Sequence, residues 1–145
     1  MKRLTVMVLA LACGAGAVLA DTDPIAERRA LMKNDGMAAK KMFDMSKGTT
    51  PFDLATVQDS LKTLYEGASK SAALFPDNSM SGGGTAALPA IWQNKADFDA
   101  RFAKFVKDVA AAQTGIVDEA SFKKLAPSVF QNCGSCHELY KAKSG

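Results

Sequence analysis

The stretch VFQNCGSCHELYKAKSG, residues 129–145, sets Cys133 and Cys136 three positions apart and follows the second with the single histidine of this 145-residue chain, His137. Only one other cysteine occurs, Cys13, and it lies in an apolar N-terminal run that reads as removable. Two cysteines this close do not build a framework of disulfides joining distant segments, so the pair has a local task.

The removable run is LTVMVLALACGAGAVLA (residues 4–20), preceded by Lys2 and Arg3 and followed by the polar DTDPIAERR (21–29). It is rich in small residues and short for a comfortable membrane span. Val18 and Ala20 stand where a signal peptidase reads small side chains. Residues 1–20 are therefore expected to be a secretory signal cleaved after Ala20, which leaves residues 21–145 as one domain. The alternatives are an uncleaved anchor and a lipoprotein acylated at Cys13, where ALAC (10–13) lacks the leucine expected three before the cysteine. No run after residue 20 is long and apolar enough to cross a bilayer.

The whole chain carries 18 basic and 15 acidic residues, a formal net charge of +3. Both charges of the signal are basic, so the mature segment has 16 against 15 and a net charge of +1. There is no Lys/Arg block with interleaved aromatics, which argues against nucleic acid as a partner. The near-neutral balance gives little electrostatic steering towards a partner of either sign.

Working back from the cysteines, the periodicity is helical throughout and no run alternates like a strand. A first helix is expected over about 23–47, with Pro24 in its first turn and Gly48 past its end. Its apolar stripe includes Ile25, Met32, Ala39, Met42 and Phe43. A second starts near Asp53 and carries Leu54, Val57, Leu61, Leu64, Tyr65, Ala68 and Ala72. LFPDNSMSGGGTAALP (74–89) breaks the pattern and reads as a loop long enough to cover something. A third helix opens at NKAD (94–97), with Asn94 as cap and Asp97 placed for a capping box. It presents Phe98, Phe102, Phe105, Val106 and Val109, and ends at 114–115. A fourth begins near Asp118 and carries Phe122, Leu125, Val129, Phe130, Cys133 and Tyr140, with Pro127 expected to kink it or break its start. Four such helices with mostly short connections make an all-α, up-and-down antiparallel four-helix bundle.

On the last helix CGSCH has a chemical reading. Two thiols three residues apart can add across the two vinyl groups of one haem, and the adjacent histidine is then held beneath the ring, where it can bind the iron. This makes Cys133 and Cys136 the attachment points of one covalent haem c and His137 the proximal ligand. Covalent attachment suits an exported protein, because it prevents loss of the cofactor. A thioredoxin-type pair would sit at a helix start after a strand. A zinc site would need ligands that no other Cys or His supplies.

A CxxCH near the C-terminus of a helical bundle resembles the class II cytochromes c, which include cytochromes c′ and the low-spin cytochrome c-556 group. The resemblance is carried by RRALMKNDGMAAKKM (28–42), KGTTPFD (47–53), ALPAIW (87–92) and CGSCHELYK (133–141), and it covers nearly all of the mature chain. It implies the four-helix fold and a periplasmic, bacterial location without an anchor. It also implies redox partner proteins of unknown identity, and either a monomer or a homodimer. In cytochromes c′ an apolar side chain of the first helix blocks the sixth iron position and leaves a site for nitric oxide or carbon monoxide. In the c-556 group a methionine fills it. The family position lies one turn after an arginine, which here is Arg28, so the matching residue is Met32. Met32 and Gly36 share a helix face, where a glycine would let the backbone approach a flat ring. Arg28 is implied as a partner of a haem propionate, with Arg29 competing for that role. Met37 and Met42 are the reserves for the iron, and core filling is the plain alternative for Met32. Lys141 stands where the family has a basic residue. The expectation is a one-electron carrier with six-coordinate, low-spin haem and no catalytic residues of its own. The alternative is a five-coordinate, gas-binding cytochrome c′.

Overall fold

In the computed structural model, residues 23–143 are described, so the signal peptide reading lies outside the described residues. Within them the chain forms α1 (Pro24–Ser46), α2 (Leu54–Ser71), the short α3 (Ala90–Gln93), α4 (Lys95–Gly115) and α5 (Glu119–Tyr140). The four long helices pack in a ring: α1 on α2, α2 on α4, α4 on α5, and α5 back on α1. This is the antiparallel four-helix bundle expected from the periodicity.

Local chemistry sets most helix ends. Asp23 accepts from the backbone N–H of Ile25 at 2.9 Å, and Pro24 occupies the first turn of α1. Asp53 caps α2 by accepting from Thr56 N–H at 2.6 Å. Asp118 and Ser121 form a reciprocal capping box at the start of α5. The expected box at Asn94 and Asp97 is absent. The Asn94 side chain donates back to the Ala90 carbonyl at 3.3 Å, because the one-turn α3 ends there and leaves that acceptor in reach. Nor does Pro127 break α5, which runs unbroken through it from Glu119 to Tyr140. Pro127 is exposed, so its ring and the carbonyl left without a donor face water.

The apolar side chains separate into two clusters instead of one continuous core. One holds Met42, Val57, Leu61, Leu64, Val109, Ile116, Phe122 and Val129. The other holds Ala68, Phe75, Ile91, Phe98, Phe102 and Tyr140. Phe105 packs against both. Phe43 and Tyr65, placed on the apolar stripes by spacing, are in fact exposed, at the edges of the α1 and α2 faces.

The segment 74–89 is tied down at both sides. From α1, Arg28 donates through Nη1 to the Leu74 carbonyl (2.9 Å) and Ser79 Oγ (2.8 Å). Its Nη2 donates to the Ser79 carbonyl and Thr85 Oγ1, each at 2.8 Å. The guanidinium also lies 4.5 Å from the Phe75 ring centroid, a cation–π contact. From α5, the Tyr140 carbonyl accepts from Leu88 N–H at 3.0 Å, and Ala142 N–H donates to the Ala86 carbonyl at 2.8 Å. The long loop is thus a strap with two short 3-10 turns, stitched to the first and last helices.

Two mutations test this account. Leu61 is fully buried, so Leu61→Ala should cost about 2–5 kcal/mol in urea unfolding of the holoprotein, while exposed Leu139→Ala should stay within about 0.5 kcal/mol. Arg28→Leu strands the buried acceptors of Ser79, each worth about 1–3 kcal/mol when left unpaired. Limited proteolysis of that variant should open a cleavage site at residues 80–84, which wild type resists.

Candidate haem site

Between the two apolar clusters lies space that side chains do not fill. A cavity of about 380 Å³ opens towards the strap and is lined by Phe75, Ile91, Phe98, Phe102 and Tyr140, with Arg28, Arg29, Lys33 and Lys141 at its border. A second, of about 140 Å³, continues from it and is lined by Asp35, Gly36, Ala39, Leu64, Phe105, Asn132 and Cys133. Met32, Phe102, Cys136 and His137 line both. The expected site residues of α1 and α5 therefore meet in one slot.

Helical geometry brings them there. Cys133, Cys136 and His137 are spaced three and four apart on α5, so their side chains stand on one face. Both thiols are free and half-buried. Burial, helped by the charge of Asp35, pushes the Cys133 thiol up to about 11, and burial also raises Cys136. Such thiols stay protonated at neutral pH, which runs against a thioredoxin-type redox pair, whose attacking cysteine needs a lowered pKa. No group of three or more potential metal ligands from His, Cys, Asp and Glu occurs among the described residues, so a zinc centre has no support. His137 exposes part of its surface to solvent yet lines both cavities. Desolvation, with the nearby Lys141 second, lowers its pKa and favours the neutral imidazole that ligates a metal.

On α1, Met32 is half-buried and packs against the cluster of Phe75, Phe98 and Phe102. Gly36, one turn on, meets nothing within 4 Å of where a Cβ would stand, so it widens the slot on the Met32 side. Met42 is fully buried in the other cluster and Met37 is exposed. Neither lines the slot. Arg28 lines the larger cavity, but all four of its terminal N–H groups are spent on the strap, and only Nε–H remains to face a ligand. Its main role in the structure is to hold the strap.

The sequence reading missed Asp35. It is buried, lines the smaller cavity, and neither carboxylate oxygen has a hydrogen-bond partner among the described residues. The signal was present: Arg28, Met32, Asp35, Ala39 and Met42 fall at alternating steps of four and three, so an aspartate occupies the inward stripe.

The residues fit a flat, mostly apolar ring. The smaller part of the slot meets both apolar clusters and the larger part meets the second, its walls are aromatic and aliphatic, its two thiols are neutral and available, and basic side chains stand at one border for acidic substituents.

Comparison with known proteins agrees with this geometry. The family profile described as Cytochrome C′ matches residues 23–141. Over 141 residues the chain is 45% identical to "Cytochrome c′" of Rhodopseudomonas palustris, covering 97% of both sequences. It is 33% identical to "Cytochrome c-556" of the same organism, with full coverage of both. The solved cytochrome c′ of Rhodopseudomonas palustris superposes with a TM-score of 0.82 at 48% identity, covering 86% of this chain and 99% of that one. Haem attachment through cysteines defines c-type cytochromes, and with a slot built to receive that group, the chain belongs to the cytochrome c′ family.

Proposed function

We propose that the protein is a periplasmic one-electron carrier in which Cys133 and Cys136 hold the haem as thioethers, His137 binds the iron from α5, and Met32 binds it from α1. The observation that carries this reading is that Met32 and His137, on different helices, line both parts of the slot. With one thioether and one imidazole as ligands the iron would have no open coordination position and a raised reduction potential. The bound haem supplies the redox chemistry, cycling between ferric and ferrous iron. The chain's residues contribute fixed ligands, a dry apolar wall from Leu64, Phe102 and Phe105, and a polar border. Arg29, Lys33 and Lys141, with the remaining Nε–H of Arg28, stand where propionates can emerge. The electron donor and acceptor are other redox proteins. No helix among the described residues is long and apolar enough to cross a membrane.

One observation favours a second reading. The relative at 45% identity is named a cytochrome c′, and in that reading Met32 only walls a five-coordinate iron that binds nitric oxide or carbon monoxide.

Absorption spectroscopy of the holoprotein separates the two. Sharp, split bands after reduction, unchanged by carbon monoxide, support methionine ligation. Broad high-spin bands that sharpen with the gas support the second reading. Under the first reading, Met32→Ala should convert a low-spin spectrum to a high-spin one and allow carbon monoxide to bind. An unaltered low-spin spectrum in that variant would remove Met32 from the iron.

A further inference from the structure

Asp35 is a buried carboxyl group that the proposed electron transfer does not use. It sits on α1 three residues after Met32, on the inward face and 7% exposed, and lines the slot with both oxygens unpartnered among the described residues. An unpaired carboxyl costs free energy wherever it is buried, so its retention calls for an explanation. The helix opposite makes room for it: Gly67 on α2 packs so closely that a Cβ there would collide with the Asp35 carboxyl group. A glycine inside a helix costs up to about 1 kcal/mol against alanine. Two unfavourable choices, a buried acid and a mid-helix glycine, therefore occur together at one point of the slot.

We infer that Asp35 is a redox-linked proton site, which takes up a proton when the haem beside it is reduced and releases it when the haem is reoxidised. The inference rests on the haem lying in the slot as read above, but not on which residue fills the sixth position. The exchange balances simply. One electron arrives from a reduced partner protein and one proton from solvent water, the proton binding a carboxylate oxygen of Asp35. Both leave on reoxidation. The ferric centre carries one more positive charge than the ferrous, so it favours the Asp35 carboxylate, and reduction favours the neutral acid.

Burial already pushes this carboxyl up to about 7, within the range of working pH. The groups that face it do not fix its charge. On α4, Arg101 lines the same cavity but is paired with Asp97 at 2.6 Å. On α5, Cys133, Cys136 and His137 line it, and in the holoprotein the cysteines are thioethers and the imidazole is a ligand. On α2, Leu64 and Gly67 are uncharged. Half-buried Asn132 and Arg101 give the cavity a polar edge through which a proton can pass.

The sign of the coupling follows. Below the carboxyl's titration in ferric protein, Asp35 is neutral in both redox states and the potential is flat. As pH rises through the window between its ferric and ferrous pKa values, the potential falls, with a limiting slope of tenfold per pH unit, or 59 mV for one electron. Above the window it is flat again and lower.

The test is spectroelectrochemical titration of the holoprotein from pH 5 to pH 9, for wild type, Asp35→Asn and Asp35→Leu. Wild type should show the falling segment. Both variants should lose it, match wild type at low pH and lie above it at high pH. Each variant removes a buried unpaired acid, so neither should unfold. In addition, reduced-minus-oxidised infrared spectra of wild type should show a carboxylic acid band appear on reduction. That measurement needs no variant. A pH-independent wild-type potential, the same slope in both variants, or no acid band would overturn the inference, and an unchanged slope would assign the proton to the propionates instead. The visible spectrum recorded in the same cell reports the iron's ligation, so a failure of the Met32 reading shows itself separately.

Discussion

The bundle is organised around a gap between two apolar clusters, one built on Leu61, Val109 and Phe122, the other on Phe75, Phe98 and Phe102. Protein interiors are ordinarily packed to the density of organic crystals, so a slot of this size between packed helices implies a group that fills it. That one requirement explains several features that are poor choices for an ordinary helical bundle. Gly36 leaves open space on α1, the strap brings Thr85, Ala86 and Ala87 to the cavity's edge, and α5 directs two thiols and an imidazole inward.

The first helix shows how the slot is kept in shape. Of its five buried residues, Ile25, Arg28, Asp35, Ala38 and Met42, two are charged, and the two are treated in opposite ways. Arg28 has every terminal N–H satisfied by the strap, so its burial stabilises a segment that would otherwise have little to hold it. Asp35 has no hydrogen-bond partner among the described residues. A satisfied buried charge can serve as structure, whereas an unsatisfied one beside a cofactor slot is a group free to change its protonation.

Much of the fold was legible in residue order. The helix starts near Asp53 and Asp118, most of the inward residues of α2 and the run Phe98–Phe102–Val109 follow from helical spacing and short-range hydrogen bonding, which act within a turn or two. Spacing along the chain was a poorer guide where a distant or irregular segment competed. Asn94 turned back to Ala90 because α3 intervenes, and the terminal N–H groups of Arg28 are engaged by strap acceptors 46 to 57 positions away, which no local pattern announces.

The sequence by itself determined which side chains are offered for attachment. Cys133, Cys136 and His137 lie within five residues, and a helix places them on one face whatever surrounds it. It also determined the class of fold, because the apolar period is a local property of each segment. Only the tertiary structure decided that Met32 shares a slot with His137, that Arg28 serves the strap, and that Asp35 stands unpartnered against Gly67. Those facts depend on which helix lies opposite, and burial, desolvation and the loss of hydrogen-bond partners arise only when α1, α2 and α5 close around the same space.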